Sequence, residues 1–271
     1  MAIGIRRSTL RAHVLLLAFL FVTAGLLTAQ TIAPETYEAL QYRHIGPVGN
    51  RIASVAGIPG DPMTYYVGAA SGGIWKTDDG GLFWTPVFDD HPIHAIGALA
   101  VSISDPEIVW AGTGEPHIRS NVTIGNGVWK STDGGDTWQH MGLDATGRIA
   151  RVLIHPTNPE IVYAASLGHT HAPQAERGIY RTTDGGATWE QVLFVDEHTG
   201  ASSLEMDPNN PRILYAGMWQ VLFNTWGRQS GGPGSGLFVS RDAGDTWTKL
   251  EGHGLPTRPL GKVDVCLTPA D

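Results

Sequence analysis

One octapeptide, repeated four times, limits what this chain can fold into more than any other feature. It reads TDDGGLFW at 77–84, STDGGDTW at 131–138, TTDGGATW at 182–189 and SRDAGDTW at 240–247. The closing tryptophans Trp84, Trp138, Trp189 and Trp247 recur after 54, 51 and 58 residues (84 to 138, 138 to 189, 189 to 247). A period of that length, filled with short alternating strands, fits one propeller blade per repeat. The third unit reads RIARVLIHP (148–156), TNPEIVYAAS (157–166), GIYRTTDGG (178–186) and ATWEQVLF (187–194), each an apolar alternation bounded by turn residues. The sequence therefore predicts an all-β propeller of four-stranded antiparallel blades at about 51–94, 95–147, 148–199 and 200–260. A partial fifth at 261–271 opens on KVDVCLTP (262–269), so further C-terminal chain is expected to complete the propeller, of which this is a fragment.

Composition agrees with short strands and many turns: 35 glycines and 17 prolines accompany only 16% charged residues. A net charge of -8 without a Lys/Arg cluster in the mature region argues against nucleic acid as a partner. Cys266 is the single cysteine, which excludes an intrachain disulfide and a Cys-rich zinc site; no cofactor or metal is expected. Residues 1–30 have the layout of a signal peptide: Arg6, Arg7 and Arg11, an apolar run at 14–27, and cleavage after Ala29 or Gln30. Residues 31–50 are then a lead-in, and the mature protein is expected to be exported to a bacterial periplasm, cell surface or exterior, with no membrane contact after cleavage.

Within each octapeptide the residue types suit a tight hairpin turn. Asp79, Asp133, Asp184 and Asp242 are placed to accept hydrogen bonds from backbone N–H groups of their own turns. Gly81, Gly135, Gly186 and Gly244 supply positive φ, and Thr77, Ser131, Thr182 and Ser240 add a hydroxyl. Each tryptophan is expected to plug the gap between adjacent blades. An acid repeated once per blade is a structural device, so no catalytic residue is assigned to it.

These boxes resemble those of the Asp-box (BNR-repeat) propellers, a superfamily that includes sialidases, xyloglucanases and sortilin-type domains. The resemblance covers roughly residues 41–271. YRHIGP (42–47), GVWKSTDGG (127–135), NPEIVYAASLGH (158–169), ERGIYRTTDGG (176–186) and SGGPGSGLF (230–238) are most similar to bacterial exported proteins described as sortilin N-terminal-like and often labelled glycosyl hydrolases. The xyloglucanase resemblance implies a catalytic Asp in a first-blade segment like YARTDVGG. The matching stretch here is YVGAASGG (66–73), which puts Ala70 at that place. A sialidase resemblance implies three arginines around a carboxylate, and the spacing of Arg51, Arg119, Arg148, Arg151 and Arg177 selects no three.

In an up-and-down blade the first-to-second and third-to-fourth turns share one edge of the propeller, which places the long second-to-third loops on the other. Those loops are 115–126, 168–177 and 220–235, and variable loops on a rigid scaffold are where binding concentrates. They carry the candidate binding residues Glu115, His117 and Arg119; His169, His171, Glu176 and Arg177; and Trp226 with Arg228. The pair His169 and His171 offers two metal ligands with no third to name. Trp219 is read as core or platform, SGGPGSG (230–236) as a flexible turn, and His44 and Arg51 as neighbours of the first inner strand and the central channel. The expected ligand is a protein or peptide held by these loops. The alternative is a carbohydrate-active hydrolase, with a glycan ligand and part of its active site in missing C-terminal sequence.

Overall fold

The computed structural model describes residues 51–119, 122–257 and 259–268, together with Ala33. The expected signal peptide, the lead-in and His44 lie outside the described residues. Of two compact units, Met1–His44 and Ile45–Asp271, all the described residues but Ala33 fall in the second. It is a β-propeller of antiparallel meanders. The first blade comprises β1 (Ile52–Gly57), β2 (Tyr65–Ala69), β3 (Ile74–Thr77) and β4 (Thr85–Pro86). The second comprises β5 (Ile96–Val101), β6 (Val109–Thr113), β7 (Val128–Ser131) and β8 (Gln139–His140). The third runs through β9 (Ile149–Ile154), β10 (Val162–Ser166), β11 (Gly178–Thr182) and β12 (Glu190–Leu193). In the fourth, β13 (Thr199–Met206) pairs with β14 (Leu214–Asn224), then come β16 (Gly236–Ser240) and β17 (Thr248–Lys249), while β15 (Gly227–Ser230) pairs with the extended end of β14. No described residue is in an α-helix.

The second strand of each blade is the most apolar because it is covered on both faces: β6 (VWAGT) and β10 (VYAAS) are buried throughout. Small residues in it let the next blade come close. A Cβ on Gly112 would stand 2.4 Å from Ile149 of the third blade, and one on Gly68 would stand 2.5 Å from Ile96 of the second.

Each box ties its own turn. Asp133 accepts from the Thr137 N–H at 2.8 Å, the Thr137 hydroxyl at 2.6 Å and the Ser131 hydroxyl at 2.7 Å, while Ser131 accepts from the Gly135 N–H at 2.8 Å. Asp184 and Asp242 repeat this set through Thr188 and Thr246. The threonine hydroxyl, followed by the other donors, holds each of these three carboxyls down to about 2. Asp79 has Phe83 in place of that threonine and is lowered chiefly by the Phe83 N–H. Ala243 sits at φ 63, where the other boxes place Gly80, Gly134 and Gly185, so it alone carries a side chain in the left-handed region.

The boxes also join the blades. Tyr66 donates its hydroxyl to the Gly134 carbonyl at 2.7 Å and Lys76 donates to the same oxygen at 2.9 Å. Tyr163 and Arg181 treat Ala243 likewise, at 2.8 and 2.9 Å. The middle seam differs. Trp110 stands where the tyrosines do, Lys130 reaches Gly185 at 3.2 Å, and the Trp189 indole donates across the seam to Met141 at 2.7 Å instead of to its own box. Trp138, Trp189 and Trp247 each pack against the preceding blade.

Three expectations need correction. Trp84 plugs no seam, because no blade precedes it among the described residues; its indole bonds its own Gly81 at 3.2 Å. Segment 262–266 lies along β13, with the Ser202 hydroxyl 2.9 Å from the Val263 carbonyl, yet pairs in no sheet, since a strand requires a ladder partner. Residues 220–235 are not an open loop, because β14 and β15 make them a hairpin with Thr225 and Trp226 at its tip.

Candidate functional site

Four backbone bonds fix which edge is which. Gly80 donates to Met63, Gly134 to Glu107, Gly185 to Glu160 and Ala243 to Arg212, at 2.8–3.0 Å, so every box touches the first-to-second turn of its own blade. The long second-to-third loops therefore gather on the opposite edge, and they meet there in two groups.

The inner group surrounds Glu115, which follows β6 and is only 1% exposed. One of its carboxylate oxygens accepts from Arg51, at the start of the first blade, and from Arg119 at 3.2 Å. A buried carboxylate needs such partners to stay charged, and both guanidiniums remain partly open to water. His117 reaches back to the Ala53 carbonyl at 3.3 Å and borders the central channel. Arg148, immediately before β9, is fully buried and bonds only the Gly168 carbonyl, at 3.2 Å; its Nε and Nη2 have no partner among the described residues. Burial pushes its guanidinium down, opposed by the nearby Glu115 charge.

Arg177 has a structural task. It is fully buried, and its two terminal nitrogens donate to the carbonyls of His198, Val221, His169 and Ala172. Burial lowers it to about 10. It pins the loop after β10 to the fourth blade, with its Nε buried and without a partner among the described residues. Glu176 is half-buried, and its backbone carbonyl accepts from Ser166.

The outer group is built on the β14–β15 hairpin. Phe223 donates its N–H to the Thr170 carbonyl at 2.7 Å, and His171 meets the Phe223 carbonyl at 3.2 Å with its ring edge-on to the Phe223 ring. Arg228 lies over the Phe223 ring, 4.6 Å from its centroid. At the tip, the Asn224 side chain accepts the Trp226 N–H at 3.1 Å, and Trp226 projects into solvent at 90% exposure. Trp219 is the buried member of the pair: it packs with Leu167 and Val221 and bonds Ser230 at 3.0 Å.

The two histidines do not converge. His169 presses on Gly147 and is lowered by burial, while His171 turns to Phe223, and no group of three metal-binding side chains occurs among the described residues. Sequence reasoning passed over the channel wall. A concavity of about 500 Å³ between the inner strands is lined by Ser54, His117, Arg151, Ser202, Glu205 and Cys266, among others, with Arg151 paired to Glu205. The alternation along β9 and β13 was the available signal, since every second residue of an inner strand faces the axis.

A family model described as sortilin, neurotensin receptor 3 (Sortilin-Vps10) matches residues 126–254, from before β7 to beyond β17. A xyloglucanase from Paenibacillus sp is 25% identical over 222 residues, 74% of this chain and 20% of that protein. One from Hypocrea jecorina is 27% identical over 214 residues, 66% of this chain and 24% of that protein. The crystal structure of the GH74 xyloglucanase from Xanthomonas campestris superposes with a TM-score of 0.57 at 22% identity, covering 79% of this chain and 32% of that one; it shares the fold. The chain spans about a fifth to a quarter of the length of the curated xyloglucanases it matches.

Proposed function

Because this chain is an Asp-box β-propeller similar to sortilin-type domains, with xyloglucanases among its relatives, we propose that it forms part of an exported carbohydrate-active protein and binds a polysaccharide across its loop edge. The observation that carries this reading is Trp226, 90% exposed at the tip of a hairpin held by Phe223, His171 and Arg228. An exposed aromatic face can stack on the C–H face of a sugar ring, and the neighbouring guanidinium can bond the ring hydroxyls. Within this span the chain binds rather than cleaves. Ala70 stands where the xyloglucanase resemblance asks for an acid, and Glu115 is already neutralised by two arginines.

Titration calorimetry with xyloglucan and with an unsubstituted β-glucan tests this. The expected outcome is saturable binding to xyloglucan that falls at least tenfold in Trp226→Ala, while the melting temperature is unchanged. Equal affinity in the variant, or no binding to either glucan, removes the reading. Hydrolysis is checked alongside: release of reducing sugar by this chain alone would contradict the binding-only assignment.

Protein or peptide binding is a second reading. It is favoured by the missing first-blade acid and by the sortilin-type match over 126–254. Capture of an unglycosylated peptide that competes with neither glucan, and that is lost in Trp226→Ala, would select it.

A further inference from the structure

Arg148 is a buried cation that no acid bonds. Its guanidinium is fully enclosed, yet its one partner is a neutral oxygen, the Gly168 carbonyl, reached through Nη1. The remaining nitrogens, Nε and Nη2, lie side by side on one edge of the group, the fork that grips a carboxylate with two parallel bonds. No described residue answers that fork. It is already closed to solvent, so further chain of the propeller does not reach it from outside.

The acid beside it is Glu115. Gly114 packs on the Arg148 backbone, where a Cβ would stand 2.9 Å from the Arg148 Cα, and the charge of the next residue, Glu115, opposes the effect of burial on Arg148. Glu115 is committed elsewhere: its Oε1 accepts from both Arg51 and Arg119. Those two side chains are 40% and 48% exposed, so water can solvate them, whereas it cannot solvate Arg148. A carboxylate contributes little to a cation that water reaches and most to one that it does not. Around one carboxylate stand three guanidiniums, and the buried one goes without. In a chain of net charge -8 this is a local excess of positive charge, one anion short of being matched.

We propose, resting on the polysaccharide reading above, that the loop edge takes an acidic sugar: its carboxylate binds Arg51 and Arg119, and Glu115 passes to the empty fork of Arg148. Until that exchange Glu115 occupies the place of the ligand's carboxylate. Afterwards every guanidinium of the group has an acid, and no proton has moved. Arg148 touches no ligand and acts as a positioning residue, through Glu115.

Titration calorimetry of the full chain with trigalacturonate and with its methyl ester, which differ in charge, tests the proposal. The acid is expected to bind about tenfold more tightly than the ester. Glu115→Gln, which removes the internal competitor, is expected to tighten the acid further and leave the ester unchanged. Arg148→Met is expected to weaken the acid about tenfold in the wild type and to have no effect in the Glu115→Gln background, a coupling that a merely structural role would not give. If Arg148→Met does not fold, a crystal structure of the wild type with trigalacturonate is expected to show Glu115 bonded to Arg148 Nε and Nη2. Equal affinity for acid and ester overturns the proposal, as does Glu115→Gln weakening the acid, or Glu115 still on Arg51 in the complex. Xyloglucan binding that survives any of these keeps the polysaccharide reading and removes the uronate alone. A peptide with a free C-terminal carboxylate that binds where both sugars fail overturns both.

Discussion

On the box edge the carboxylates lie near the surface and are satisfied within their own turns, whereas on the loop edge Glu115, Arg148 and Arg177 are buried and held by residues of other segments. The first arrangement is local and repeats with the blade. The second occurs once and joins segments distant in sequence. Charge that recurs with the period is part of the scaffold. Charge that appears once fastens a loop through several carbonyls, as Arg177 does with its Nε alone unpartnered among the described residues, or leaves most of its donors unused, as Arg148 does.

Four substitutions test this contrast. Trp138→Ala removes a side chain only 8% exposed that fills the first seam, and should cost about 3–5 kcal/mol in chemical unfolding. A loss below about 1 kcal/mol would show that the boxes are not what holds the blades together. Arg177→Met should cost roughly 2–4 kcal/mol, because carbonyls of the loop edge lose their donor. It should also blur the Trp226 platform, which near-ultraviolet circular dichroism reads directly. An Arg177→Met protein as stable as wild type would undo the distinction between fastening and binding. Ala243→Gly should raise stability by about 1 kcal/mol, since the residue already has positive φ and glycine relieves it.

The smallest effect is one of pH. Asp133, Asp184 and Asp242 fall from an ordinary 3.8 to about 2 on folding, so between those values the unfolded chain binds more protons than the folded one. Their contribution is complete above pH 3.8 and is lost as pH falls toward about 2, so stability must rise with pH across this window. Asp133→Asn should flatten that slope in urea titrations at successive pH values. An unchanged slope would remove the box carboxylates as its source.

The blade boundaries and box turns were legible because their signals are local: an aspartate bonding residues three or four ahead, an alternating strand, a glycine turn. The loop edge was less so. Glu115, His117 and Arg119 read as one group, and Arg119 and Glu115 do meet, but their third member is Arg51, 64 residues before Glu115. Arg177 read as a binding residue because no pattern within its own loop reveals that His198 and Val221 will enclose it. The hairpin at Trp226 was within reach, since VLFN and GRQS alternate around a two-residue turn, but the glycines that follow it drew attention away.

The middle seam carries a last consequence. There the tyrosine of the flanking seams is replaced by Trp110, whose indole N–H is buried with no partner among the described residues, and, besides Lys130, a second crossing donor comes from Trp189 on the opposite side. A blade pair that meets out of order during collapse would set tryptophan where a phenol belongs, or leave a carbonyl unanswered. The reversed bond thus makes the seam of the second and third blades chemically distinct from the seams on either side of it.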